Sequence, residues 1–325
     1  MKISFVEPHL KIYGGIRRIL ELSNRLTTMG HDVTIFHSDG SRPTWMECLA
    51  KTKSYKDFLV ANHEVIIYND PNPIDFELVK KAIAKLKVFY VLELYEKELL
   101  KGSNFKLYFP RYKHMRFMKK SLFSADLLLA NATWEKEWLK ENLDLDSQLL
   151  IGGINREIFY PVRVEKDKNK IVILCSGDSR IRKGTSDIQK AIKIVKKDYP
   201  KAVLETYHGK GFPQEKMGQV YSSADIFVEA SWSAGWNNPV VEAMACKVPV
   251  ICTDIGGVKD FAFHEKTALL VPLKDPLAIA KAVVRLIEDE KLRKGLAENG
   301  YNQVTKFDWD ESAKRLIKIL KSRLE

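Results

Sequence analysis

The stretch from Ser231 to Gly257, led into by the apolar run Asp225 to Val228, constrains the fold of this chain more than any other. A loop of small and amide residues follows the run and ends at Pro239. Proline is tolerated at the first position of a helix, where its missing N–H is an orphan in any case, so the spacing predicts a helix over Val240 to Cys246. Lys247 then turns the chain into a second apolar run, Val248 to Cys252. Strand, loop, helix and strand at this spacing make a parallel βαβ unit, because parallel neighbours need a crossover of a dozen or more residues. The glycines and amides sit where the helix begins, and unpaired N–H groups with the helix dipole favour an anion there. A phosphate site is the expectation.

The same segment resembles the donor-site signature of family-4 glycosyltransferases of the GT-B fold, Ser-x-x-Glu-Gly-Phe-Gly-x-Pro-x-x-Glu-Ala-Met-Ala. Asp225, Ser231, Gly235, Pro239, Glu242, Ala243, Met244, Ala245, Pro249, Gly256 and Gly257 fall in register with it. The resemblance implies an α/β chain of two Rossmann-like, doubly wound domains facing across a cleft. It also implies a retaining, metal-independent transfer of a sugar from a nucleoside diphosphate sugar to a hydroxyl of a glycan or lipid-linked acceptor. In the family the second glutamate, here Glu242, accepts hydrogen bonds from the donor ribose, and the first touches the transferred sugar. This chain carries Ala234 at the first position, with Trp236, Asn237 and Asn238 between. Gly235, Trp236, Asn237, Asn238 and Glu242 are accordingly the expected donor-binding residues of the segment. The departure at Ala234 motivates an alternative, a nucleotide-binding but catalytically weak partner subunit of a glycosyltransferase complex.

A chain of 325 residues suits two domains better than one core. Apolar residues at 45% and charged residues at 29% give the balance of a globular chain able to bury two cores. No apolar run approaches the ~20 residues of a membrane span, and the opening Met1 to Glu7 is too short and acid-bounded for a signal peptide. The expected location is cytoplasmic, at the inner face of the plasma membrane if the acceptor is lipid-linked. Cys48, Cys175, Cys246 and Cys252 lack metal-ligand spacing and are expected as reduced thiols. A formal charge of +11 favours an anionic partner, and charge by itself does not select a nucleic acid. No nucleic-acid partner, no metal and no cofactor beyond the sugar nucleotide is expected; Asp144-Leu-Asp146 lies in a surface segment away from the donor signature.

Along the chain, Lys2 to Glu7 reads as a strand, a loop holds Gly14 and Gly15, and Ile16 to Met29 has helical period with Ile16, Ile19, Leu20 and Leu26 on one face. Asp32 to His37 follows as a strand. The glycine pair lies at a strand's carboxyl end, where doubly wound sheets bind ligands, and serves either the donor or a tight turn. Val65 to Tyr68 and Val88 to Leu92 read as strands around a helical pattern from Ile74 to Leu86. Glu93 and Glu96 fall just past the second strand, where many family members carry a histidine; Glu93 is either a base toward an acceptor hydroxyl or a surface helix start. Leu99 to Ala125 holds seven cations and no acid, interleaved with aromatics, as at a lipid headgroup surface or on a solvated helix face. Asp126 to Ala130 reads as a strand, and Thr133 as the cap of a helix through Glu141.

Gly152-Gly153-Ile154-Asn155 resembles the family hinge, which places the expected boundaries at 1–158 for an acceptor-binding domain, 159–305 for a nucleotide-sugar domain and 306–325 for a helix crossing back. Ile171 to Cys175 opens the second sheet. The loop behind it holds Gly177, Asp178, Arg180, Arg182, Lys183 and Gly184. The family loop clamps the donor diphosphate with an arginine and a lysine; Lys183 matches the lysine, Asp178 stands at the arginine, and Arg180 or Arg182 is left to supply the second cation. Ala202 to Tyr207 is a strand ending at His208, near the family's base-contacting loop. Lys183, Arg182 and Glu93 are the expected catalytic residues. Ala268 to Val271, Pro276 to Glu288, Lys291 to Gln303 and Glu311 to Leu324 read as a last strand and three amphipathic helices.

Overall fold

The computed structural model of the protein describes residues 1–94 and 109–325. The chain forms two compact units, Met1–Gly152 with Trp309–Glu325, and Gly153–Asp308.

Unit 1 contains β1 (Lys2–Val6), α1 (Gly14–Thr28), β2 (Asp32–His37), β3 (Lys51–Ser54), β4 (Val65–Tyr68), α2 (Pro73–Lys81) and β5 (Leu86–Val91). After the segment outside the described residues come α3 (Phe109–Ser124), β6 (Leu127–Ala130), α4 (Thr133–Leu143) and β7 (Gln148–Leu149). The sheet is parallel, in the order β3-β2-β1-β4-β5-β6-β7. Parallel strands are covered on both faces and so read as continuous apolar runs; all four residues of β4 are buried. Ile19, Leu20 and Leu26 of α1 pack into one cluster with Ile3, Val88 and Leu129. The terminal helix Trp309–Leu324 adds Trp309, Ala313, Leu316 and Leu320 to it. At ~1.5–3 kcal/mol for each fully buried large apolar side chain, that helix is an integral part of unit 1.

Unit 2 contains β8 (Ile171–Cys175), α5 (Thr185–Val195), β9 (Ala202–Thr206), α6 (Met217–Ser222), β10 (Ile226–Glu229), α7 (Asn238–Ala245), β11 (Val250–Thr253), β12 (Leu269–Val271), α8 (Pro276–Glu288) and α9 (Glu290–Val304). Its sheet is also parallel, ordered β12-β11-β10-β8-β9. The chain enters at β8, adds β9 on one side, and then builds β10, β11 and β12 on the other. The order therefore reverses between β8 and β10, the topological switch point at which such sheets bind ligands outside the strand carboxyl ends.

Several boundaries differ from the sequence expectation. Gly14 and Gly15 are not in a loop; they are the first two residues of α1. The helical pattern expected to Leu86 stops at Lys81, and Leu86 starts β5. Thr133 is the first helical residue and Ala132 the cap, with no side-chain capping bond. Pro239 takes the second position of α7, since Asn238 already has helical geometry. Glu96 and the Leu99 to Tyr108 part of the basic, aromatic stretch lie outside the described residues.

Candidate functional site

Two loops meet at the switch point of unit 2, residues 176–184 after β8 and residues 230–237 after β10. Gly184 joins the first loop to α5 at φ +63°, and a Cβ there would lie 2.1 Å from the carbonyl oxygen of Ala230. No other residue fits that approach. The Trp232 N–H donates to the Arg182 carbonyl at 2.8 Å, and Thr185 Oγ1 donates to the Asp178 carbonyl at 2.6 Å. The Trp232 indole N–H reaches Asp187 Oδ2 at 3.3 Å, and Lys274 Nζ lies 4.0 Å from the indole centroid. The second glycine after β11 is explained in the same way: a Cβ on Gly257 would come within 2.4 Å of the Ala234 carbonyl oxygen, and the Gly257 carbonyl accepts from the Asn237 N–H at 3.0 Å.

The cations of the first loop are not equivalent. Asp178, buried at 5% exposure, accepts from the Arg180 N–H at 3.0 Å and from Arg180 Nε at 3.0–3.1 Å, and pairs with its guanidinium. Burial pushes this carboxyl up, but the hydrogen bonds and charge of Arg180, followed by the charge of His208, outweigh burial and hold it at about 2. The acid at the family's arginine position thus takes up Arg180, and the loop's net positive charge falls to Arg182 and Lys183. Both are half-buried, and the Lys183 ammonium makes no ion pair or hydrogen bond among the described residues. Gly177 closes β8 opposite Thr206. The exposed His208 is tied in through its N–H to the Ser176 carbonyl at 2.8 Å.

Glu242 is 6% exposed, in the second turn of α7. Its Oε2 accepts from Tyr221 Oη at 2.7 Å, and Tyr207 Oη lies 2.9 Å from Tyr221 Oη. Each phenol has one proton, so with Tyr221 donating to Glu242, Tyr207 donates to Tyr221. Burial, then the Glu242 charge, pushes the Tyr221 hydroxyl well up and keeps it protonated. Neither tyrosine was singled out by sequence, because hydroxyl partners dispersed over the residue after β9, α6 and α7 leave no local pattern. The Trp236 ring packs against Phe261 and Phe307, with centroids 4.9 and 5.2 Å away, and so anchors the loop. Gly235 and Asn237 are buried and Asn238 half-buried at the start of α7.

Gly14, Gly15 and Glu93 belong to unit 1. Gly15 faces Leu92, so the start of α1 and the half-buried Glu93 share one neighbourhood at the sheet's carboxyl edge. Sequence reasoning missed a buried acid pair at the switch point of this sheet. Glu7 follows β1 and Asp75 lies in the first turn of α2, both at 0% exposure. Asn69 donates to Glu7 Oε1, and Asn72 accepts the Ile74 and Asp75 N–H groups at 2.9 Å. Tyr55 has a single hydroxyl proton and faces two acceptors, the Glu7 carbonyl at 2.6 Å and Asp75 Oδ1, so a protonated Asp75 satisfies the second contact. Burial pushes Asp75 up to about 7, outweighing the hydrogen bonds that Tyr55 and Asn72 offer its ionised form; Glu7 is also pushed well above the carboxylate range, by burial and then by the charges of Asp75 and Asp70.

Two all-parallel α/β units, the second with a basic loop and a helix N-terminus at its switch point, define the GT-B fold. Solved structures agree over nearly the whole chain. A sucrose-phosphate synthase from Thermosynechococcus elongatus superposes with a TM-score of 0.78 at 18% identity, covering 99% of this chain and 98% of its own. HepE from Anabaena, solved in complex with UDP-glucose, gives 0.72 at 14% identity, covering 99% and 100%. Residues 162–289 match the family model described as glycosyl transferases group 1. TuaC of Bacillus subtilis (strain 168), a glycosyltransferase assigned to teichuronic acid biosynthesis, is 30% identical over 252 residues, which are 70% of this chain and 62% of TuaC. The chain thus has the GT-B fold, and its residues 162–289, which make up most of unit 2, match the group 1 glycosyl transferases.

Proposed function

We propose that the protein is a retaining, metal-independent glycosyltransferase that moves a sugar from a nucleoside diphosphate sugar to a hydroxyl of a glycan or lipid-linked acceptor, with no further cofactor. The observation that carries this reading is the switch point of unit 2, where the loop bearing Arg182 and Lys183 is tied through Trp232 and Gly184 to the loop that starts α7. As the glycosidic bond breaks, negative charge grows on the leaving diphosphate. Preorganised cations and helix N–H groups aimed at that charge stabilise the transition state more than the ground state. In this scheme Lys183 and Arg182 face the diphosphate, Gly177 and Gly235 let backbone approach it, Glu242 accepts the ribose hydroxyls, and His208 lies toward the base. Gly14 and Gly15 serve the donor, and Glu93 serves the acceptor hydroxyl. The retaining course rests on the resemblance of the donor signature. HepE bound to UDP-glucose supports a sugar nucleotide as donor, and the assignment of TuaC to teichuronic acid biosynthesis supports a glycan or lipid-linked acceptor.

A cytoplasmic protein acting on lipid-linked acceptors would touch the inner face of the plasma membrane, and α3 is the element suited to that contact. It exposes Arg116, Lys119 and Phe123, and among the described residues no helix is long and apolar enough to cross a membrane. A second reading, a nucleotide-binding partner subunit with weak catalysis, is favoured by Ala234 and by the capture of Arg180 by Asp178. Incubating the purified chain with UDP- and GDP-sugars while following thermal shift and nucleotide release separates the two. Binding with release supports the transferase, and binding without release, even with added glycan acceptors, supports the partner subunit. No shift by any nucleotide or sugar nucleotide overturns the donor site itself, because a ligand of the folded state must raise its melting temperature.

A further inference from the structure

Asn237 is 1% exposed, and neither Oδ1 nor Nδ2 of its carboxamide has a hydrogen-bond partner. Buried side-chain amides are almost always paired, so a wholly unpaired one calls for a cause. The local sequence supplies half of it. An asparagine at this N-cap position would ordinarily accept from the second or third helical N–H. The second helical residue is Pro239, which has none, and the third, Val240, donates to the Asn237 backbone carbonyl at 3.2 Å. Helix capping therefore does not use the side chain. Nor is its backbone free to drift: the Asn237 N–H is held by the Gly257 carbonyl at 3.0 Å, and the preceding Trp236 ring is wedged against Phe261 and Phe307.

The other half of the cause is a ligand. We propose that the Asn237 carboxamide reads a hydroxyl of the transferred sugar, which makes Asn237 a specificity-determining residue; this rests on the donor-site reading above. A carboxamide offers a donor and an acceptor together. A phosphate oxygen would satisfy Nδ2 and be repelled by Oδ1, whereas a hydroxyl, or two neighbouring hydroxyls, satisfies both. The residue closes the loop that packs on the Lys183 loop through Ala230 and Trp232, next to Ala234, whose methyl group offers a sugar no hydrogen bond. Because neither atom is open to solvent, the hydroxyl reaches them by a shift of the half-buried residues 232–234 that precede them, while the Gly257 and Trp236 contacts hold Asn237 itself. Pairing the orphan atoms is then recovered on binding the sugar and not on binding the bare nucleotide.

The test compares wild type with Asn237→Leu, an apolar near-isostere, using UDP and UDP-glucose, and GDP and GDP-mannose, by calorimetry and thermal unfolding. The expected result is an unliganded melting temperature equal to or above wild type, nucleoside diphosphate affinity within about twofold, and sugar-nucleotide affinity at least ~10-fold weaker, as expected when a site built to pair a hydroxyl loses its partner. Sugar-nucleotide affinity unchanged, or both affinities falling in parallel with a lower melting temperature, overturns the proposal. Asn237→Ala repeats the comparison if leucine overpacks, and failure of both variants to fold also overturns it, since an unpartnered amide cannot be what holds the loop. If wild type binds neither nucleotide nor sugar nucleotide, the donor-site reading fails and this inference with it; nucleoside diphosphate binding with no gain from the sugar refutes this inference alone.

Discussion

Replacing Asp75 by asparagine should flatten the pH dependence of stability. In the native protein this carboxyl titrates at about 7, against an ordinary value of 3.8, so the folded state holds a proton that the unfolded chain releases throughout that interval. Stability contributed by that proton is complete below the ordinary value and is lost as pH rises through 7. Between pH 5 and pH 8 such a shift removes about 3 kcal/mol, using ~1.4 kcal/mol per pKa unit. For a domain of 150–250 residues this is roughly 6–12 °C in melting temperature. The substituted carboxamide cannot ionise and keeps an amide to meet Tyr55. Thermal and urea unfolding of wild type and Asp75→Asn at pH 5, 6.5 and 8 should therefore show the variant losing less stability, with Glu7 leaving a slope of the same sign. By pH 8 the variant should be the more stable protein. Parallel pH profiles for the two proteins would mean that Asp75 is ionised in the fold and that the Tyr55 proton account is wrong.

Lys183→Ala should lower turnover roughly a hundredfold with a smaller change in the Michaelis constant for the donor, because the diphosphate charge is larger in the transition state; a change in the Michaelis constant alone would make Lys183 a binding residue only. Glu242→Gln should weaken nucleoside diphosphate binding about tenfold or more, on ~1.5–3 kcal/mol for hydrogen bonds to a charged group, and should also lower the melting temperature, since Tyr221 loses a charged acceptor. Tyr221→Phe isolates the structural part: it should destabilise the protein while affecting nucleotide affinity much less, and equal losses in the two variants would remove Glu242 from the donor site. Charge reversal at Arg116 and Lys119 should cut co-sedimentation with anionic vesicles by more than tenfold, on ~1 kcal/mol per cation near the bilayer, and leave neutral vesicles unaffected. Lys120 is a poorer probe because its ammonium stacks on Phe117 at 4.8 Å.

The elements legible in the sequence are those in which burial acts along the chain. Asp32–His37, Val65–Tyr68 and Ile171–Cys175 stand out as apolar runs because parallel strands are covered on both faces, and Pro276–Glu288 because its proline and its period agree. Lys51–Ser54 was not legible: it is an edge strand of alternating exposed and half-buried polar residues, and its pairing with β2 is a backbone matter. The site divides along the same line. Gly184, Lys183 and the start of α7 sit in a local strand–loop–helix grammar and could be read in advance. The Asp178–Arg180 pair, the Tyr207–Tyr221–Glu242 relay and the Glu7–Asp75 pair join residues by orientation, and only folding decides which hydroxyl or guanidinium a carboxylate meets. Trp236 adds a packing role that its place in the motif did not announce, since its ring lies against Phe307.

The terminal helix carries a consequence for synthesis. Unit 1 is interrupted: the chain leaves it at Gly152 and returns only at Trp309, with all of unit 2 between. As the chain emerges from the ribosome, Ile19, Leu20 and Leu26 have most of their sheet but lack Trp309, Leu316 and Leu320. At ~5–20 residues per second that cover arrives roughly ten to thirty seconds later. Unit 2 can close first, so the first half of the polypeptide to be made is the last to be sealed. During that interval α1 presents an apolar seam to chaperones and to neighbouring nascent chains, and truncations that spare every donor-site residue but remove the last helix should fail by aggregation.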